Sequence, residues 1–146
     1  MKTVTADTIG LLKECSKGVK MGASSIDGVI GNVKNDTLKN VLKESRVRHT
    51  AIDNDVDKFL KEAGENGEQP PMMAKAMSWA KMNFKMMTDP SDKEVASLVY
   101  DGCNMGVKSL YEFLNQFKDA DEVSRALAHR LIKEEEELKD KLRNFV

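Results

Sequence analysis

Gly18-Val-Lys-Met21-Gly22-Ala-Ser-Ser25 decides the fold, because the chain contains this stretch twice. The second copy is Gly102-Cys-Asn-Met105-Gly106-Val-Lys-Ser109, 84 residues further on (102 − 18). Beyond it, Ile26, Val29, Ile30, Val33 and Lys34 answer to Leu110, Phe113, Leu114, Phe117 and Lys118. Over the 17 positions from Gly18 to Lys34, five residues are identical and six more pair apolar with apolar. A match this ordered predicts a duplicated helical hairpin.

Working outward, the first helix is expected to start near Thr5 or Asp7, either of which can cap it. Two adjacent apolar stripes run along it. One is Ile9, Leu12, Ser16, Val19, Ala23, Ile26, Ile30 and Val33; the other is Leu11, Cys15, Gly18, Gly22, Ser25 and Val29. So wide a face must touch more than one neighbour. Lys34-Asn35-Asp36 reads as a tight turn, with Asp36 as the expected cap of the second helix. That helix carries Leu38, Leu42, Ser45, His49, Ile52, Val56, Phe59 and Ala63 inward and stops at Gly64-Glu-Asn-Gly67-Glu-Gln-Pro70-Pro71.

Met72 to Met87 follows, with six of the nine methionines and the one tryptophan. Met73, Ala76, Met77, Ala80, Phe84 and Met87 form one helical face, with Trp79, Met82 and Met86 beside it. A helix here would be about 24 Å long, enough to carry the chain back along a bundle. Lys75, Lys81 and Lys85 keep its other side wet. Ser91-x-x-Glu94 is a capping box for the next helix. After the turn Lys118-Asp-Ala-Asp121, the last helix places Val123, Leu127, Arg130 or Leu131, Glu134, Leu138, Leu142 and Phe145 inward. It is aligned with the second helix at a spacing of 85, one residue being added in the turn. The expected organisation is a single all-α domain, 1–146, of two pseudo-symmetric hairpins (5–64 and 91–145) and a Met-rich crossover helix over 70–88.

With 23 basic and 24 acidic residues, no excess positive charge points to nucleic acid or an anionic membrane. The first residues lack an apolar signal core, and no run of apolar residues is long enough to span a bilayer, so a cytoplasmic location is expected. Cys15 and Cys103 lie inside helical patterns with no CxxC, which reads as two buried, reduced thiols.

The order hairpin, long crossover, hairpin, with the Gly-x-x-Met-Gly pair, resembles the ferritin-like superfamily, and within it the small bacterial four-helix-bundle proteins. The resemblance implies a four-helix bundle with one long crossover, and it raises the question of a di-iron site. Such a site takes a glutamate from each of two helices and Glu-x-x-His from each of the other two. The two histidines, His49 and His129, are preceded at that spacing by Arg46 and Ala126, so both signatures fail. Ser16 and Tyr100 stand where the other two helices would need carboxylates. A conventional di-iron site is therefore not expected, and no cofactor is.

Glycines at Gly18, Gly22, Gly102 and Gly106 each cost about 1 kcal/mol relative to alanine inside a helix. They predict close packing of the first and third helices, or room for a bulky neighbour such as His49. Ser16, Ser45, His49, Tyr100, Arg130 and Glu134 form a polar set on apolar stripes. His49 and Glu134 match at the 85-residue spacing, so a contact between them is one reading, and they are the weak candidates for a metal site. Of Glu134-Glu-Glu-Glu137, only one carboxylate is expected to point inward. His129 sits off the core stripe.

No Ser/His/Asp or Cys/His arrangement, phosphate loop or dinucleotide fingerprint is present, so no catalytic residue is named. Three function classes follow. The first is a non-catalytic bundle acting through homo-oligomerisation or a protein partner, with Met72, Met73, Met77, Trp79, Met82 and Met86 as the surface. The second is a metal or redox protein with an atypical mid-bundle site at His49 and Glu134. The third is a carrier of a small apolar ligand, using the glycine-lined centre and the methionine-rich helix.

Overall fold

The computed structural model describes residues 4–65 and 90–146. The Met-rich crossover helix expected over 70–88, and the interaction surface on it, lie outside the described residues. Among those described are four α-helices and no strand: α1 Ala6–Val29, α2 Asp36–Glu62, α3 Asp92–Gln116 and α4 Glu122–Leu142. A short 3-10 turn, Ile30–Asn32, follows α1.

Each helix begins where a side-chain oxygen takes up an otherwise orphaned backbone N–H. Thr5 accepts from Thr8 N, Asn35 from Leu38 N, Ser91 from Glu94 N and Asp121 from Ser124 N. The cap of α2 is thus Asn35, one residue before the expected Asp36, because only Asn35 has the extended backbone that aims a side chain back over the first turn. The Ser91–Glu94 capping box forms as read. At the other end of α2, Gly64 adopts φ 77°, a left-handed conformation that suits glycine, and it stops the helix.

The hairpins are locked together at their turns. Asp92, in the first turn of α3, accepts from the backbone N–H groups of Lys34 and Asn35, each at 2.9 Å. Asp7, in the first turn of α1, accepts from Asp119 N at 2.9 Å, and Thr8 Oγ1 from Asp121 N at 2.8 Å. These contacts put the starts of α2 and α3 at one end of the bundle. The C-terminal end of α3 lies beside the start of α1, where Phe117 packs so tightly that a Cβ on Gly10 would sit 2.5 Å from its ring.

Two apolar clusters fill the interior. One gathers Leu11, Leu12, Cys15 and Val19 with Ile52, Val56, Leu60, Leu110, Leu114, Leu127 and Leu131. The other gathers Ile26, Val29, Leu38 and Leu42 with Val95, Val99, Cys103, Leu138 and Leu142. Removing one of these leucines costs about 2–5 kcal/mol. Leu12, Ser16, Val19, Ala23 and Ile26 of one α1 stripe and Leu11, Cys15 and Val29 of the other are buried, while Gly18, Gly22 and Ser25 are half-buried.

In α4, Leu127, Leu131 (rather than Arg130), Glu134, Leu138 and Leu142 are buried as read, but Val123 is exposed and Ser124, Ala128, Ile132 and Glu135 are buried as well. Buried Leu38, Leu42, Ser45, His49, Ile52 and Val56 of α2 recur as buried Ser124, Ala128, Leu131, Glu135, Leu138 and Leu142. That spacing is 86, the distance between the caps Asn35 and Asp121 (121 − 35), and it replaces the 85 read from the turn. One residue is about 100° of rotation on a helix, so the difference changes which side chains meet.

Candidate functional site

Between the two apolar clusters lies a buried polar layer. Ser45 is 0% exposed, His49 1%, Glu134 4% and Glu135 7%. The run Glu134–Glu137 therefore buries two carboxylates rather than one, because α4 packs against three helices and its inward arc spans both positions.

Glu134 faces α2. It accepts from Ser45 Oγ at 2.8 Å and from Arg48 Nε at 2.7 Å. Arg48 Nη2 is buried with no hydrogen-bond partner among the described residues. Glu135, one residue round the helix, takes His49: its Oε1 lies 2.6 Å from His49 Nε2. The expected His49–Glu134 contact is thus a His49–Glu135 contact, with Glu134 joined to the ring through Ser45, whose Oγ is 3.3 Å from Nδ1.

His49 Nδ1 lies 2.8 Å from the Ser45 carbonyl oxygen, which can only accept. Nδ1 therefore donates, and a carboxylate at Nε2 calls for a second donor. The arrangement favours an imidazolium. Burial by itself pushes the His49 pKa down; the Glu135 hydrogen bond and charge, the Ser45 carbonyl and the Glu134 charge outweigh it and leave it raised. The layer then holds two positive groups, Arg48 and His49, against two negative ones, Glu134 and Glu135.

A Cβ on Gly22 would lie 2.7 Å from His49 Nε2, so Gly22 is the space the imidazole occupies. Among the described residues, a Cβ on Gly18 would make an ordinary 3.6 Å contact with Leu131, one on Gly106 would stand 3.8 Å from Glu135 Oε2, and one on Gly102 would meet nothing within 4 Å. Of the two expectations for the glycines, room for His49 describes Gly22. The small residues border a cavity of about 510 Å³ between the two helices.

Gly18, Gly22, Gly102 and Gly106 line that cavity with Met21, Ile26, Leu98, Val99, Met105, Leu110 and Phe113. His49, Cys103 and Glu135 reach it from the polar layer. Met21 and Met105, equivalent residues of the repeat, are 42% and 58% exposed and flank the opening. Glu14 and Lys17, also in the lining, pair with each other at 3.2 Å.

The remaining sequence candidates fall elsewhere. Ser16 is buried and accepts from Lys20 Nζ, which also pairs with Asp53 at 2.6 Å and Asp57 at 3.3 Å. Tyr100 is half-buried under Lys139, and Arg130 pairs at the surface with Asp55. His129 is exposed, its ring edge-on to Tyr111. Cys15 and Cys103 are buried free thiols. Burial pushes the Cys15 thiol up to about 12; burial, then the charge and hydrogen bond of Glu135, raise that of Cys103. Neither is a nucleophile in that state.

The donor set does not fit a di-iron centre. Among the described residues no group of three or more His, Cys, Asp or Glu side chains could hold a metal ion. Both His49 nitrogens already have partners. Sequence reasoning missed Glu135; the caps were the signal that could have found it, since they fix the register of α4 on α2. No helix of the described residues is long and apolar enough to cross a membrane. Compared with protein-family models and with curated proteins, the chain matches none.

Proposed function

We propose that the protein is a non-catalytic helical bundle that binds a small, largely apolar molecule between α1 and α3. The observation that carries this reading is the cavity of about 510 Å³, a size suited to a small ligand, walled mainly by glycines and apolar side chains, with polar groups at Glu135 and His49, at Ser25 and Ser109, and at Glu14 and Lys17. Glycine inside a helix is costly, and at three of the four lining glycines an added Cβ would meet no side chain of the described residues closer than 3.6 Å. Space left by residues that do not need to be small for packing is space kept for something else. We read the bundle as ferritin-like in topology, a reading supported by two short-turn hairpins whose second and third helices start at the same end.

The test is titration with the uncharged dye Nile red, in the parent chain and in Gly102→Leu. That leucine projects into open cavity space. Saturable binding at one dye per chain, lost in the variant while its thermal midpoint is kept or raised, is the expected result. No saturable binding, or binding indifferent to Gly102→Leu, sinks the reading.

A second reading is favoured by the exposure of Met21 and Met105 at the opening. The same face then meets a protein partner or a second copy of the chain. Sedimentation of the parent and of a Met21→Lys, Met105→Lys variant separates the two: a concentration-dependent dimer abolished by the variant supports the interface.

A further inference from the structure

Among the described residues the cavity is long and narrow. On α1 its lining runs from Glu14 to Val29 and on α3 from Leu98 to Phe113, a span of 15 residue steps on each (29 − 14 and 113 − 98). The two helices run in opposite directions, with Gly10 beside Phe117. Equal steps along both from that contact put Glu14 level with Phe113 and Val29 level with Leu98. The two walls therefore start and stop together, and at 1.5 Å per residue they are about 22 Å long. Spread over that length, the volume of about 510 Å³ gives a mean cross-section of about 23 Å².

Apolar carbons pack about 4–4.5 Å apart, so one hydrocarbon chain needs roughly 16–20 Å² of cross-section and two side by side need twice that. The cavity takes one chain along its length and no second beside it. Polar groups are spread along the lining rather than gathered at one point. Ser25 and Ser109, matched residues of the repeat, carry hydroxyls that donate as well as accept. Lys17 pairs with Glu14, and His49 with Glu135. A ligand's polar end meets donors and acceptors alike, so the lining sets no single head group. Length and width are what it does set.

Resting on the cavity reading above, we infer that the site is a ruler for one unbranched hydrocarbon chain, the tail of a single-chain lipid. Each methylene advances an extended chain by about 1.25 Å, the projection of a C–C bond of about 1.5 Å. A slot of about 22 Å therefore holds roughly sixteen to eighteen carbons.

Equilibrium dialysis with trace radiolabelled 1-alkanols of about 8 to 20 carbons, a range bracketing that length, tests this. On the parent chain the bound-to-free ratio should rise about fourfold with each methylene, then stay level beyond roughly sixteen to eighteen carbons, where further methylenes remain in water. In Gly102→Leu the new side chain leans over the turn towards Leu98 and closes that end of the slot. The rigid dye loses its site there, whereas a flexible chain should still bind, with its break about four carbons shorter, the length of one helical turn. 1-Dodecanol should also bind at least about tenfold tighter than cyclododecanol, a ring of the same carbon count that is two chains wide. If Gly102→Leu does not fold, the parent series and the ring comparison still decide. A ratio that climbs unbroken to the longest alcohol, a break left unmoved by Gly102→Leu, or a ring bound as well as the chain overturns the ruler and leaves the cavity reading standing. Failure of Nile red and of every alcohol to bind overturns the cavity reading itself.

Discussion

The two Gly-x-x-Met-Gly segments have the same residues at the same helical spacing, yet they are used differently. In α1, Gly22 is pressed against the His49 imidazole at 2.7 Å from its would-be Cβ. In α3, Gly102 faces open space and Gly106 only approaches Glu135. Between the Gly and Met of each copy, Lys20 reaches α2, pairing with Asp53 and Asp57, whereas Asn104 accepts from Lys139 of α4 at 3.1 Å. The two copies of the stretch put the same residue types on α1 and on α3. The histidine on α2 and the carboxylate on α4 then make one copy a packed contact and the other a cavity wall.

The strongest way to break this asymmetry is to remove its cause. Glu135→Ala should cost about 3–5 kcal/mol in a denaturant titration, because His49 then sits buried without its counter-charge. Glu136→Ala, next along the chain and half-exposed, should stay within about 0.5 kcal/mol. Equal losses at the two positions would mean that the pair does not hold the layer together.

The glycines give the next largest effect, with opposite signs. Gly22→Ala should destabilise by about 1–3 kcal/mol through the clash with a ring held on both nitrogens. Gly102→Ala should stabilise by about 0.5–1 kcal/mol, since the new methyl group meets none of the described residues and the helix gains propensity. In a His49→Ala background the penalty at Gly22 should vanish. A double-mutant cycle showing no coupling between positions 22 and 49 would refute the packing account.

A pH series sharpens the same point. His49 has a raised pKa in the folded chain, so its contribution is fully present below the ordinary histidine value of 6.5 and is lost as pH rises through the folded value. Stability measured from pH 6 upward should therefore fall more steeply in the parent than in His49→Gln. Parallel profiles would show that the ring is not protonated in the folded state.

The smallest effects belong at the surface ends of the repeat. Lys20→Met should lose up to about 1 kcal/mol, and less at high salt, because its acidic partners are only partly buried. Asn104→Ala should fall within about 0.5 kcal/mol.

Several features were fixed by the residues alone. The four described helices, their wide and narrow apolar faces, the Ser91–Glu94 box, the buried thiols and the burial of Ser16, Ser45, His49 and Glu134 all follow from 3.6-residue periodicity and local capping, which each segment carries within itself. The alternative offered for the glycines, room for His49, was also legible, though not which of the four would provide it. What depended on tertiary structure was every relation between helices. Whether α4 lies on α2 at a spacing of 85 or 86 turns on how two turns pack, and a single residue rotates the facing side chain by about 100°. That rotation gives His49 to Glu135 and hands Glu134 to Ser45 and Arg48. Likewise, a glycine stripe reads the same whether a neighbouring helix closes on it or stands away. Only the placement of α1 against α3 turned four glycines into the wall of a cavity.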